Sequence, residues 1–294
     1  MIPVADAAAF DADELARRRG GTRVSVCIPA RDEAATVGAI VAEIDTELRR
    51  RIHLVDEILV CDDHSGDATA AVARAAGARV IRAAETVPSH PTGPGKGQAM
   101  WRLLAASTGD LVVWCDADLV DFSASMVTGL LGPLLTDPTV AFVKGTYARP
   151  LVDGVGGGRV TELVARPLLS LLEPELATLG QPLGGEYAGR RSLLETLPFP
   201  VGYGVEMGLL LEIARRHGTG VIAQVDLGIR HHRNRPLDEL GPQALEILHL
   251  ALRHRVPGVV APDAALVGPD GVRGVTTSEL PPVQTLTGGA VRAS

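Results

Sequence analysis

The sequence predicts an α/β protein: a Rossmann-like, mostly parallel sheet flanked by helices. Three observations carry this expectation. Short apolar runs alternate with segments of helical periodicity through the first half of the chain. The runs are continuously apolar, as strands covered on both faces are. Polar clusters over 29–33, 62–63 and 116–118 follow three of the runs directly, at the strand ends where ligands of parallel sheets gather.

Taken in order, the pattern predicts a first strand over 24–28, closed by Pro29. Val37, Ile40, Val41, Ile44 and Leu48 then recur at helical spacing, with Asp32 as the expected N-cap. A second strand over 57–61 runs into Asp62-Asp63-His64-Ser65-Gly66-Asp67. A short Ala-rich helix stops at Gly77, a suitable residue just past a helix end. A strand over 79–81, a helix over 98–106 and a strand over 111–115 complete this half. The second half is less regular, with strands expected over 140–143 and 221–225 and helices over 160–172, 205–216 and 240–253. From 256 onward the chain is rich in Pro, Gly and Thr, and 276–294 reads as a mobile tail.

A length of 294 residues suits one large domain or one and a half. Aromatic residues make up only 3%, which disfavours the base-stacking surfaces of single-strand nucleic-acid binders. The net charge of −7 argues against nucleic acid or an anionic membrane as a general partner. Any anionic substrate must therefore be met by a local cluster of basic groups. Cys27, Cys61 and Cys115 each lie near the end of an apolar run and read as buried, reduced thiols. The first 20 residues lack the pattern of a secretory signal. No window approaches the roughly 18 apolar residues that span a bilayer, so a cytoplasmic protein is expected.

Several motifs could carry chemistry. In Asp116-Ala117-Asp118 the two carboxylates are two residues apart and can face one point of a strand end. Paired hard oxygens suit Mg²⁺ or Mn²⁺ carrying a phosphate-bearing substrate, although the same triplet also occurs in simple turns. Gly93-Pro94-Gly95-Lys96-Gly97 opens a helix and could bring backbone and one cation to a phosphate, or be an exposed loop. It is not a Walker A loop, since His90 and Gly97 stand where that motif needs Gly and Ser or Thr. Gly156-Gly157-Gly158-Arg159-Val160-Thr161-Glu162 could form an anion cradle at a helix start, or link two lobes. Arg230-His231-His232-Arg233-Asn234-Arg235 could lend an imidazole to a metal or be a solvated basic surface. Glu206, in Tyr203-Gly204-Val205-Glu206, could cap a helix or bind a sugar.

Together these segments resemble nucleotide-sugar glycosyltransferases of the GT-A type. More narrowly they are similar to the glucosyl-3-phosphoglycerate synthases of actinobacteria and the related mannosyl-3-phosphoglycerate synthases. The most specific stretches are GGGRVTELVARP over 156–167 and HRNRPL over 232–237. The resemblance implies that Pro29, Ala30, Asp32, Glu33 and Asp63 border the uridine. It places Lys96 on the diphosphate, Asp116 on the ribose and metal region, and Asp118 with His232 on a Mg²⁺ or Mn²⁺ ion. Leu183, Tyr203 and Glu206 would line the sugar pocket, while Gly158, Arg159, Thr161 and Asn234 would hold the acceptor. Asp118, Glu206 and Lys96 are the residues this assigns to catalysis. Arg31-Asp32 stands where the family commonly has Leu-Asn, and Asp62-Asp63-His64-Ser65 lacks its usual glycine.

The implied activity is transfer of glucose from UDP-glucose to 3-phosphoglycerate with retention of configuration. GDP-mannose, another donor or another phosphorylated acceptor is the alternative. The implied organisation is an N-terminal extension over 1–22, a nucleotide-sugar-binding half over 23–146, a more helical acceptor-binding half over 147–255, and a partly flexible C-terminal extension over 256–294. A homodimer is also implied.

Overall fold

The computed structural model of the chain describes residues 1–87, 89–90, 93–149, 158–230, 237–261, 263–268 and 271–286. Its strands are β1 (Val4–Asp6), β2 (Val24–Ala30), β3 (Glu57–Asp62), β4 (Arg79–Arg82), β5 (Leu111–Trp114), β6 (Phe142–Ala148), β7 (Tyr187–Arg190), β8 (Phe199–Pro200), β9 (Ile222–Ile229), β10 (Ala264–Gly268), β11 (Gly271–Val275) and β12 (Glu279–Leu280). Its α-helices are α1 (Ala12–Arg18), α2 (Val37–Glu43), α3 (Thr69–Ala75), α4 (Lys96–Ala106), α5 (Ala124–Thr136), α6 (Arg166–Leu172), α7 (Arg191–Leu194), α8 (Val205–His217) and α9 (Leu237–Arg255).

Among the described residues one eight-stranded sheet runs in the order β1-β9-β6-β7-β5-β2-β3-β4. Every neighbour pair is parallel except those of β7, which is antiparallel to both β5 and β6. The expected mostly parallel α/β sheet is therefore present. The apolar runs are continuous because helices cover both faces. Cys27, Leu59 and Trp114 point into one buried layer with Trp101 and Leu104 of α4. Val26, Ile28, Val60 and Val113 point into the opposite layer, with Val37 and Ile40 of α2 and Leu130 of α5.

Three local expectations are corrected. Pro29 does not close the first strand, because β2 continues to Ala30, with Pro29 opposite Cys61 and Ala30 opposite Asp62. Proline offers no N–H to the ladder and is tolerated this near a strand end. Asp32 is not a helix cap. Its backbone is left-handed at φ 58°, and its Oδ1 accepts from the Gly66 amide at 2.7 Å, tying the loop after β2 to the loop after β3. Finally, 276–286 is docked rather than mobile. β12 pairs antiparallel with β8, Leu280 and Val283 are buried, and the Trp101 indole donates to the Pro281 carbonyl at 2.7 Å. Residues 287–294 lie outside the described residues.

The single sheet crosses the boundaries drawn at 22 and 146. β1, from the stretch read as an extension, pairs with β9 from the second half. β6, β7 and β9 extend the sheet built by β2 to β5. Among the described residues no helix is long and apolar enough to cross a membrane.

Candidate active site

Parallel strands bring their carboxyl ends to one edge, and the expected polar clusters meet there. A cavity of about 440 Å³ is lined by Pro29 and Ala30 at the end of β2, Asp32 and Glu33 after it, Asp63 after β3, and Asp116 and Asp118 after β5. Lys96, Tyr203, Glu246 and Thr276 close its other side. Because β7 runs the opposite way, its amino end delivers Gly184, Gly185 and Glu186 to this same edge. Gly185 is close-packed, since a Cβ there would sit 2.1 Å from Asp116 Oδ1.

A charged network floors the cavity. Lys96 Nζ lies 2.8 Å from Asp116 Oδ1 and 2.8 Å from Glu206 Oε1. Arg230, at the end of β9, places Nη2 3.4 Å from both Asp116 Oδ2 and Asp118 Oδ1. Its Nη1 pairs with Glu186 and donates to the Tyr147 hydroxyl at 3.1 Å. Burial opposes the Lys96 charge, but Asp116 and Glu206 outweigh it and hold the ammonium pKa well above the usual range. Burial likewise opposes ionisation of Asp116, yet Lys96 and Arg230 keep its pKa far below that of an ordinary carboxyl. Asp118 differs: burial and the neighbouring Asp116 charge push its pKa up. Its side chain keeps 49% exposure. The two acids are thus inequivalent, Asp116 locked between cations and Asp118 open to the cavity.

The glycines of the Gly93–Gly97 motif have a packing use. The Gly97 amide donates to the Gly202 carbonyl at 3.3 Å and the Gln98 amide to Val201 at 3.0 Å. A Cβ at Gly97 would lie 1.8 Å from the Pro200 carbonyl oxygen. The glycines let α4 begin against the 200–202 turn, which aims Lys96 at the acids. Gly95 also donates its amide to Asp63 Oδ2 at 2.9 Å. Gly97→Ala is expected to lower stability by about 3 kcal/mol, since rigid backbone would be overpacked. Chemical denaturation checks this, and an unchanged midpoint would refute the packing role.

On the other side of the network, Gly158 is left-handed at φ 82° and its carbonyl accepts from the Glu162 amide at 2.9 Å. Arg159 follows at the start of the helical run, and Thr161 is buried. Arg149 connects this end to the centre. It lies 3.2 Å from where a Gly158 Cβ would be, and it donates to the Tyr147 hydroxyl at 2.9 Å, as Arg230 also does. Leu183 does not line the cavity and packs at the margin of the core. His232 and Asn234, together with Gly156 and Gly157, lie outside the described residues.

Comparison with known proteins places the chain in a family. The model of glycosyl transferase family 2 matches residues 25–197. A glucosyl-3-phosphoglycerate synthase of Mycolicibacterium paratuberculosis is 46% identical over 290 residues, covering 93% of this chain and 87% of that one. The chain belongs to the glucosyl-3-phosphoglycerate synthase family. A crystal structure of the Mycobacterium tuberculosis synthase with Mn²⁺, UDP-glucose and phosphoglyceric acid superposes with a TM-score of 0.89 at 41% identity, covering 97% of this chain and 99% of that one. The mannosyl-3-phosphoglycerate synthase of Rubrobacter xylanophilus reaches a TM-score of 0.86 at 39% identity, covering 97% of each chain.

For a member of the glucosyl-3-phosphoglycerate synthase family, the donor set suits a hard divalent cation. Two carboxylates, Asp116 and Asp118, converge on one guanidinium nitrogen, and such oxygen donors favour Mg²⁺ or Mn²⁺. Among the described residues no three His, Cys, Asp or Glu side chains gather into a metal cluster. Sequence reasoning missed Lys144, Tyr147, Arg149, Glu186 and Glu246 as site residues. Lys144 and Tyr147 lie on β6 and Arg149 follows it directly, and a cation inside an apolar run was the available signal. Glu246 came from the third turn of α9, whose carboxylate accepts the Tyr203 amide at 2.6 Å.

Proposed function

We propose that this chain transfers glucose from UDP-glucose to 3-phosphoglycerate with retention of anomeric configuration, working in the cytoplasm as a homodimer. The observation that carries the reading is the network in which Lys96 bridges Asp116 and Glu206 beneath a cavity framed by the loops after β2, β3 and β5. The ternary complex of the 41% identical mycobacterial synthase supports the same substrates. The buried, unpaired cysteines suit a reducing compartment.

In this reading Pro29, Ala30, Asp32, Glu33 and Asp63 border the uridine, and Asp116 serves the ribose and metal side. Asp118 and His232 hold Mg²⁺ or Mn²⁺, which when bound offsets charge on the departing diphosphate. Lys96 supplies positive charge to the same diphosphate, fixed in place by Asp116 and Glu206. Tyr203 and Glu206 bound the glucose, with Glu206 on its hydroxyls. Gly158, Arg159, Thr161 and Asn234 take the acceptor's phosphate and carboxylate, where backbone amides and a guanidinium suit two anionic ends. We assign no side chain the role of covalent nucleophile. The acceptor hydroxyl oxygen then bonds to the anomeric carbon on the face from which the diphosphate departs, and the leaving phosphate oxygen takes its proton.

The test is nucleotide release by the purified chain with Mg²⁺ or Mn²⁺ and 3-phosphoglycerate, across UDP-glucose, GDP-glucose and GDP-mannose. UDP-glucose is expected to be preferred, and preference for GDP-mannose would reject the donor assignment. An anomer-resolved product spectrum showing inversion would reject retention. Light scattering giving a monomer mass would reject the dimer. Arg159→Ala is expected to raise the KM for 3-phosphoglycerate about 10- to 100-fold, the worth of a hydrogen bond to a charged group. The KM for UDP-glucose should stay within about two-fold, and equal shifts in both would move Arg159 out of the acceptor site.

A further inference from the structure

Lys144 is a charged residue that the proposed chemistry leaves unused. It lies in the middle of β6, between Val143 and Gly145, and is 1% exposed. Burying an ammonium costs several kcal/mol unless neighbours compensate it, so its surroundings must be specific. Its Nζ donates to the Gly184 carbonyl and stands 4.6 Å from the centroid of the Tyr187 ring, a cation–π distance. Gly184 belongs to the turn that carries Gly185 against Asp116 and Glu186 onto Arg230. The charged groups acting on it are Glu206 of α8, Glu186 ahead of β7, Lys96 of α4 and Asp116 after β5. The facing β7 adds the Tyr187 hydroxyl, which is directed to Met100 Sδ at 3.4 Å.

We infer that Lys144 is a positioning residue of the donor-sugar site, a buried cation that pins the Gly184 carbonyl and, with Lys96, supports the Glu206 carboxylate. The inference rests on the reading of Glu206 as a sugar-binding group. Two functions follow from the geometry. The hydrogen bond to Gly184 fixes the start of the Gly184–Glu186 turn, so Gly185 keeps its close contact with Asp116. Glu206 is the strongest of the charges acting on Lys144, while Lys96 joins Glu206 to Asp116. A neutral residue at 144 would leave the buried acids with one cation fewer, and Glu206 would reorganise toward the remaining one.

The charge is also conditional on pH. Burial lowers the Lys144 pKa to about 8, with Glu206 and Glu186 opposing that shift. The functional ammonium is then present below pH 8 and lost as pH rises through it. An alkaline limb near pH 8 is therefore expected in kcat/KM for UDP-glucose.

The test compares Lys144→Met and Lys144→Gln with the wild-type chain in UDP release, over pH 6.5 to 9.5. Met keeps the length of the side chain and its contact with Tyr187, while Gln keeps an N–H for Gly184 without the charge. Both are expected to lower kcat/KM for UDP-glucose about 30-fold, near the worth of a hydrogen bond to a charged group. The KM for 3-phosphoglycerate should stay within about two-fold, and the limb near pH 8 should disappear from both profiles. Wild-type activity in either variant, or a Gln variant as active as wild type, would overturn the role of the charge. Should both variants fail to fold, the wild-type profile decides alone, and the lack of an alkaline limb between pH 7 and 9 overturns the inference. A wild-type chain without any turnover of UDP-glucose and 3-phosphoglycerate would instead reject the proposed function.

Discussion

Asp118→Asn is expected to lower kcat by about 1000-fold while leaving the fold intact. The loss reflects about 4 kcal/mol of transition-state charge stabilisation, a size typical of a lost Lewis acid. The fold survives because the side chain is half exposed and the new amide is isosteric. Its 3.4 Å contact with Arg230 is one of several that this guanidinium makes, and the Glu186 and Asp116 contacts remain. Surface-type replacements of this kind usually change stability by no more than about 0.5 kcal/mol. Two measurements separate the roles. Calorimetric titration of Mn²⁺ into the chain with UDP should lose its heat in the variant, and the thermal midpoint should hold within about 2 °C. Full activity or undiminished Mn²⁺ binding would remove Asp118 from the metal site.

The same substitution at Asp116 should behave differently, because Asp116 is locked between Lys96 and Arg230. Its loss would unbalance two cations at once, one of them buried. The family resemblance already implied different roles for the two acids, and the folded arrangement supplies the physical cause that the Asp-x-Asp triplet by itself does not show.

The parallel core was legible because physics writes it plainly. β2, β3 and β5 are covered on both faces and therefore read as unbroken apolar runs. What stayed hidden depends on distant partners. α5 contains Gly129, Gly132 and Pro133, all poor helix formers. Yet a Cβ at Gly132 would meet the Phe10 ring at 2.3 Å, so the glycine serves packing of the N-terminal segment. β7 is four residues long with a glycine inside it, too short for periodicity to reveal. Its antiparallel direction, which brings Glu186 to the site, is a property of the assembled sheet. At the site, Asp116, Asp118 and Lys96 stood in recognisable motifs. Lys144 did not, and Arg230 stood in a basic run without a role of its own, because a cation beside apolar residues takes its meaning only from the acids that fold against it.

Arg230→Met is expected to cost about 3–5 kcal/mol of stability, the usual price of leaving a buried charge uncompensated. The guanidinium is held against Glu186, Asp116, Asp118 and the Tyr147 hydroxyl. Glu186 is 1% exposed, so removing its partner leaves a carboxylate that neither water nor another described cation contacts directly. For a chain of this size the thermal midpoint should fall on the order of 10 °C. The loss should depend on pH in a definite direction. Burial already raises the Glu186 pKa, with Arg230 opposing, so without Arg230 the carboxyl will take up a proton more readily. A folded state with a raised carboxyl pKa binds more protons than the unfolded chain, so its stability falls as pH rises through that pKa. The variant should therefore be least destabilised in mild acid and most destabilised at neutral pH and above. Adding Glu186→Gln should recover a large part of the loss, because the amide needs no counter-charge, and the pH dependence should flatten with it. A variant as stable as wild type at pH 7.5, or a double variant weaker than Arg230→Met alone, would show that Glu186 does not depend on this guanidinium.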